Sequence, residues 1–337
     1  MENRIPEAQT FFTSFANTTA RDFVQRIMKR NYALAILEHH PEKEKLSPEE
    51  IQQQCDHLVD SSFERIERLN QPEELFPLFA QLSRSRPERD PIWFDAFLQA
   101  YQNYKHKRKL QNRYRRLKPY LQGSSYADVG CGGGDFVAFL KHHHPDFKLL
   151  SGIDVVDWRT ETVKEEIGFQ TLDFSLPDTY SSQKYDTMTC LAVLHHAGDT
   201  DEAQGIFLQN LRKSLSPNGH LIVEEDVILP RAQISQNDAY HRQVEKLLPK
   251  QPVFAEFLNQ DAATQRDSII LVDFLANALA VGVPEMAFPC GFRSIDDWRK
   301  LFWKNGFVPD EVNIAGFVPG NFNQSSHVYF VLKPINT

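Results

Sequence analysis

The segment Asp128-Val129-Gly130-Cys131-Gly132-Gly133-Gly134-Asp135 constrains this chain more than any other. It follows a short β-rich run, Tyr126–Val129, and leads into a helical run that starts near Phe136. Glycines here let the backbone turn tightly and approach a ligand with no Cβ in the way. The helix beyond offers N–H groups without intrahelical partners to a polar or negatively charged group.

The surrounding text fits that opening. From Tyr126 onward, β-rich runs at Tyr126–Val129, Lys148–Val156, Phe169–Phe174, Tyr185–Leu194 and His220–Val227 alternate with helical stretches such as Phe136–His144 and Glu202–Leu215. This rhythm predicts a mostly parallel sheet with helices on both faces, an α/β fold. Ile295–Asn305 reads as a helix, and Phe307–Ile314 and Ser326–Leu332 read as two further strands.

The first 120 or so residues read instead as successive helices. Ser47-Pro48-Glu49-Glu50 is a capping box with Pro at the first helical position, so a helix begins there and buries Ile51, Cys55, Leu58 and Val59. After Asp90-Pro91, Phe94, Phe97, Leu98, Tyr101, Tyr104, Leu110, Tyr114, Leu117 and Leu121 recur mostly at three- and four-residue steps. That spacing predicts one long helix ending near Pro119 and Gly123. The polar stretch 84–90 is the expected linker, and a domain boundary is expected at 122. The chain then divides into an N-terminal helical domain, 1–122, and an α/β domain, 123–337, with a helical insertion at about 228–292.

Three ligand classes use a glycine loop of this kind. A nucleoside triphosphate calls for Gly-Lys-Ser/Thr at its end, which is absent. A dinucleotide calls for G-x-G-x-x-G, and the last of those positions is Asp135, an acid that would repel a pyrophosphate. The remaining class is S-adenosylmethionine, a cationic sulfonium nucleoside that tolerates nearby acids.

The segment resembles motif I, D/E-x-G-x-G-x-G, of the class I S-adenosylmethionine-dependent methyltransferases, and the resemblance runs from about Tyr126 to Leu332. It implies a Rossmann-like, seven-stranded, mostly parallel sheet whose last strand is antiparallel. It also implies that Asp128, Gly130, Gly132 and Gly134 cradle the cofactor. Asp154, twenty residues after Gly134, stands where the family binds both ribose hydroxyls. Asp173-Phe174 matches the residues beside the adenine, and Tyr185 to His196 resembles the fourth strand with its loop, placing Leu191 at the cofactor. Ser216-Pro217-Asn218-Gly219 resembles the turn before the fifth strand. The residues agree independently, since a carboxylate accepts two hydrogen bonds from vicinal hydroxyls. Asp128 and Asp135 likewise suit ammonium and sulfonium charge.

Methyl transfer asks an enzyme to align a nucleophile and, for a hydroxyl, to remove its proton. His195 and His196 lie just past the fourth strand, at the edge where such sheets bind ligands, and are the candidate bases. The plainer explanation is that one of them packs the loop. Strand alternation puts Glu224 and Asp226 on one face and Glu225 on the other. Glu224 and Asp226 are the candidate substrate acids, with a solvated strand end as the alternative. Tyr240 within the insertion and Arg293 after it complete the expected substrate set. Phe254, Phe257, Phe274, Met286 and Phe288 give the insertion the apolar content of a pocket cover, and Phe11, Phe12 and Phe15 are candidates to close over it.

The net charge of −8 argues against a surface devoted to nucleic acid. Lys105 to Lys118 nevertheless holds eight Lys/Arg in fourteen residues with no acid. This stripe is either a phosphate dock or the wet side of an amphipathic helix. Cys55, Cys131, Cys190 and Cys290 stand far apart, which suggests reduced thiols in the cytoplasm; Cys290 is read as structural and no metal is expected. No apolar run reaches membrane-spanning length. The expected function is S-adenosylmethionine-dependent methylation of a small molecule, at oxygen before carbon or nitrogen, by a cytoplasmic protein that could dimerise through its helical domain. The alternatives are an RNA or protein methyltransferase docking through helix 105–118, and a non-catalytic cofactor-binding partner.

Overall fold

The computed structural model describes residues 5–84, 91–281, 291–317 and 325–335. The linker stretch 85–90, Met286, Phe288 and Cys290 lie outside the described residues. Two compact units emerge: Met1–Lys107 with Val227–Phe292 and Ala315–Ser326, and Arg108–Asp226 with Arg293–Ile314 and His327–Thr337. This differs from a cut at 122. The chain changes unit between Lys107 and Arg108, and the insertion groups with the N-terminal helices.

Local packing explains the first difference. The long helix is interrupted: Pro91–Tyr104 is α-helical, Lys105–Lys109 is a π-turn, and Leu110–Leu117 is α-helical again. The last of these buries Leu110 and Leu117 and packs on helix Asp135–His143. Tyr114 Oη donates to the His143 carbonyl at 2.8 Å. Its contacts therefore belong to the sheet.

The sheet runs β3-β2-β1-β4-β5-β8-β7, with β1 Ser125–Val129, β2 Leu149–Asp154, β3 Gly168–Thr171, β4 Tyr185–Leu191, β5 Leu215–Ile228, β7 Phe307–Gly316 and β8 His327–Pro334. An eighth strand, β6 at Arg293–Ser294, pairs with β5 off this path. β1 pairs in parallel with β2 and with β4, and β4 in parallel with β5. β8 is antiparallel to β5, as anticipated. The chain steps outward from β1 through β3 and then crosses to β4. The switch in direction thus lies between β1 and β4, where the carboxyl ends of neighbouring strands open a crevice.

Two strands depart from their expected bounds. β3 ends at Thr171, which leaves Asp173 and Phe174 in the following loop. β5 starts at Leu215, because its register on β4 jumps from Tyr185↔Leu215 to Thr187↔His220. Ser216-Pro217-Asn218-Gly219 therefore bulges out of the strand rather than preceding it.

The other unit is mainly helical, with the ends of β5 and β7 at residues 227–228 and 315–316 as its strand residues. Ser47 caps Pro48–Glu67 by accepting from the Glu50 N–H, and Ile51, Cys55 and Val59 are buried, with Leu58 half-buried. The insertion forms helices Arg231–Ser235, Asp238–Leu247, Pro252–Leu258 and Ala262–Leu275. Phe11 is fully buried against Phe274, with ring centroids 4.4 Å apart, and Phe15 packs on Phe63 at 5.6 Å. These rings are core of this unit, so they serve as no flap. Ser14 and Asn17 both donate to Asp267, at 2.9 Å each, and tie the first two helices to Ala262–Leu275. Among the described residues, no helix is long and apolar enough to cross a membrane.

Candidate cofactor site and acid–base pair

The glycine loop leaves β1 at its carboxyl end and is fastened to β2. The N–H groups of Gly130 and Cys131 donate to the Ile153 carbonyl at 2.8 and 3.3 Å, and Gly132 N–H donates to Asp154 Oδ2 at 2.8 Å. Gly134 then caps helix Asp135–His143 in the left-handed conformation. Two glycines are required for different reasons. Gly130 has φ +70°, and a Cβ there would collide with the Val193 side chain. Gly132 has φ +52°, and a Cβ there would meet nothing within 4 Å. The first is closed by protein, whereas the second borders open space, as a cradle for a ligand demands. Gly130→Ala is expected to destabilise the protein by about 2 kcal/mol through the φ strain alone. Differential scanning calorimetry should register a Tm lower by roughly 4–8 °C, the range for a unit of this size.

Asp154 closes β2. Its second oxygen accepts from the Val155 N–H at 2.7 Å. Burial pushes its carboxyl upward, while the Gly132 and Val155 N–H groups pull the other way. The next residues, Val155, Val156 and Trp158, are exposed apolar side chains. Asp173, two residues beyond β3, accepts from the Ser175 N–H at 2.9 Å and hydroxyl at 2.5 Å. Phe174 is buried against Phe207, with centroids 5.7 Å apart, and its carbonyl accepts from the Asn210 side chain at 3.0 Å, so its ring belongs to the core. Leu191 is buried at the end of β4. Asp128 is also buried and accepts from the Thr189 hydroxyl at 2.6 Å. Burial pushes its carboxyl up to about 6, against the pull of Thr189 and Arg113.

Past β4 the two histidines are adjacent, with ring centroids 4.1 Å apart. His195 is fully buried, and its Nδ1 lies 2.6 Å from Glu225 Oε2. The other oxygen of Glu225 accepts from the Leu194 N–H at 2.8 Å. Burial raises the Glu225 carboxyl, and His195 opposes that rise. With Glu225 ionised, Nδ1 carries the proton and Nε2 is the basic nitrogen. Glu225 is the residue missing from the sequence-based site. Alternation had separated it from Glu224 and Asp226, but nothing in the sequence says that His195 lies on its face.

Glu224 and Asp226 are both buried and ion-paired. Glu224 pairs with Arg113 at 3.2 Å, and Asp226 pairs with His327 Nδ1 at 2.8 Å. Arg293 is likewise engaged: it donates to Gln204 at 2.6 Å, pairs with Asp201 at 2.9 Å and covers the ring of buried Trp298. Tyr240 is buried within the helical unit. The four residues assigned to substrate are thus ion-paired or buried in this structure, since polar ends of strands and helices are also the places where ion pairs form.

Residues 127–221 match the family described as Methyltransferase domain. Over that stretch the chain is similar to methyltransferases. A tRNA U34 carboxymethyltransferase from Sulfurovum sp. (strain NBC37-1) is 29% identical to this chain over 126 residues, covering 35% of this chain and 40% of the relative. A ubiquinone biosynthesis O-methyltransferase from Coxiella burnetii (strain Dugway 5J108-111) is 26% identical over 116 residues, covering 32% and 46%. The chain spans less than half the length of these curated relatives. A crystal structure of magnesium protoporphyrin IX methyltransferase from Synechocystis PCC 6803 with bound SAH aligns with a TM-score of 0.41 and 16% identity, over 71% of this chain and 87% of that one. The methyltransferase domain accounts for the glycine loop, for Asp154 and for the switch in strand order between β1 and β4.

Proposed function

We propose that the protein transfers a methyl group from S-adenosylmethionine to a small molecule in the cytoplasm, with a hydroxyl or phenol oxygen as the favoured acceptor. The observation that carries this reading is the buried His195–Glu225 pair just past the end of β4. A sulfonium already makes its methyl group electrophilic. What an oxygen acceptor still needs is a base, and an imidazole held by a buried carboxylate supplies one. Asp154 offers two oxygens suited to vicinal ribose hydroxyls. Val155 and Trp158 offer apolar surface beside it, suited to a purine. Asp128 and Asp135 supply negative charge for the cationic end of the ligand.

A second reading, RNA as the acceptor, is favoured by the tRNA-modifying relatives and by exposed His106, Lys107, Arg108, Arg115 and Lys118. The helix is nevertheless less free than its sequence suggests. Arg113 is committed to Glu224, and Arg116 donates to Tyr329 Oη at 3.3 Å. Methyl-labelled S-adenosylmethionine, added with the protein to a host-cell extract that is then fractionated, separates the readings. Label is expected in the small-molecule fraction, and Lys107→Gln/Arg108→Gln/Arg115→Gln is expected to change it less than twofold. Label in RNA that this triple variant reduces more than tenfold, with a weakened salt dependence, would establish RNA as the acceptor instead.

A further inference from the structure

Helix Leu110–Leu117 places Arg113 against the sheet, and its contacts reach β5 and the helix that follows the glycine loop. Its guanidinium pairs with buried Glu224 at 3.2 Å and sits 5.7 Å from the ring centroid of Phe136, the second residue of the helix that follows the loop. Glu224 lies 3.7 Å from His327, which also pairs with Asp226. Asp128, Glu224 and Asp226 are thus three carboxylates buried within one unit, with Arg113 and His327 among them. Buried carboxylates repel one another and lose hydration, so they ionise together only if a cation is buried with them.

Around Asp128, each neighbouring element contributes a titratable or hydrogen-bonding group. Tyr126 and Cys131 come from its own strand and loop, Asp154 from β2, Thr189 and Cys190 from β4, and Glu224 from β5. Among these groups, Arg113 is the cation that draws Asp128 toward its ionised form, while Asp154 and Glu224 push against it.

We propose that Arg113 is a positioning residue for cofactor binding: from a helix that precedes the matched stretch, it supplies the half-buried positive charge that lets Asp128 and Glu224 stand as carboxylates together behind the glycine loop. This rests on the reading that Asp128 serves the cationic end of S-adenosylmethionine. Arg113 acts through Asp128 and touches no reacting atom. It also gives the segment 108–117 a role inside the cofactor site, independent of any nucleic acid.

Calorimetric binding of S-adenosylmethionine from pH 5 to 8 tests this, with adenosine as a probe that lacks the ammonium group. Wild-type affinity is expected to rise as pH climbs through about 6, where Asp128 ionises, and then to level off. Arg113→Met is expected to move that rise upward by about one pH unit, which is about tenfold in affinity below the plateau. Arg113→Lys should restore it, and adenosine affinity should not change. Because Arg113→Met leaves buried Glu224 with only His327, at 3.7 Å, as an ion-pair partner, the comparison is repeated in a Glu224→Gln background, where the same upward shift is expected. An unmoved pH profile in either background, or equal loss of adenosine and S-adenosylmethionine binding, would overturn the proposal. Asp128→Asn separates the two levels of inference. If it leaves S-adenosylmethionine binding unchanged, the underlying reading of Asp128 fails. If it weakens binding and flattens the pH profile while Arg113→Met shifts nothing, only the role of Arg113 fails.

Discussion

Asp154→Ala is expected to weaken S-adenosylmethionine binding by at least about 100-fold while leaving the fold intact. Two charge-assisted hydrogen bonds from a carboxylate to vicinal hydroxyls contribute roughly 1.5–3 kcal/mol each, and about 3 kcal/mol already corresponds to more than 100-fold in Kd. The side chain has a second task, since it accepts from the Gly132 and Val155 N–H groups at 2.8 and 2.7 Å. Removing it therefore also loosens the loop that borders the ligand. Isothermal titration calorimetry measures the loss, and far-ultraviolet circular dichroism with a thermal melt separates it from unfolding. A change in Kd below about fivefold would remove Asp154 from the ribose site.

The sign of the pH effect follows from burial. The carboxyl of Asp154 is raised, chiefly by desolvation, with the two N–H groups opposing. A raised acid stabilises the folded protein fully below its unfolded value of roughly 3.9, and that contribution is lost as pH rises through the folded value. On the proposed reading of Asp154, ligand binding has the opposite dependence, because ribose hydroxyls would donate to the ionised form. If Asp154 holds the ribose, thermal stabilisation by S-adenosylmethionine is expected to shrink as pH falls through the raised folded value of its carboxyl.

These residues were legible because their chemistry is local. The glycine loop, Asp154 and the end of β4 lie at the carboxyl ends of β1, β2 and β4, parallel neighbours in the sheet, so the alternation of strands and helices alone places them along one edge. The antiparallel β8 came from resemblance, and pairing residues Leu221↔Leu332 to Asp226↔His327 bear it out. Pairings across the sheet were not legible. Arg113 and Glu224 are 111 residues apart, and His195 and Glu225 are 30 apart on different elements. Alternation rightly separates Glu225 from Glu224 and Asp226, but it cannot say which face carries the histidine and which carries the arginine. The unit boundary was missed for the same reason: an amphipathic period describes an apolar face without identifying what covers it. Leu110 and Leu117 continue the stripe of the preceding helix, yet the turn at Lys105–Lys109 hands them to the sheet.

Glu225→Gln is expected to lower kcat by about 10²–10⁴-fold, the usual contribution of a positioned general base, with S-adenosylmethionine affinity changed less than threefold. The substitution keeps size and shape. It can still accept from the Leu194 N–H, which Glu225 Oε1 now does at 2.8 Å. What it removes is the negative charge 2.6 Å from His195 Nδ1. Without that charge the imidazole is less basic at Nε2, and its tautomer is no longer fixed. His195→Ala is a poorer test of the same idea, because it strands a buried carboxylate, which costs several kcal/mol and obscures catalysis with unfolding. The split between kcat and cofactor Kd is decisive. A general base loses turnover and keeps binding, while a residue that merely packs the loop after β4 loses stability first. Turnover equal to wild type in Glu225→Gln, with the acceptor identified from the labelling experiment, would leave the His195–Glu225 pair a structural contact and move the search for the base to His196.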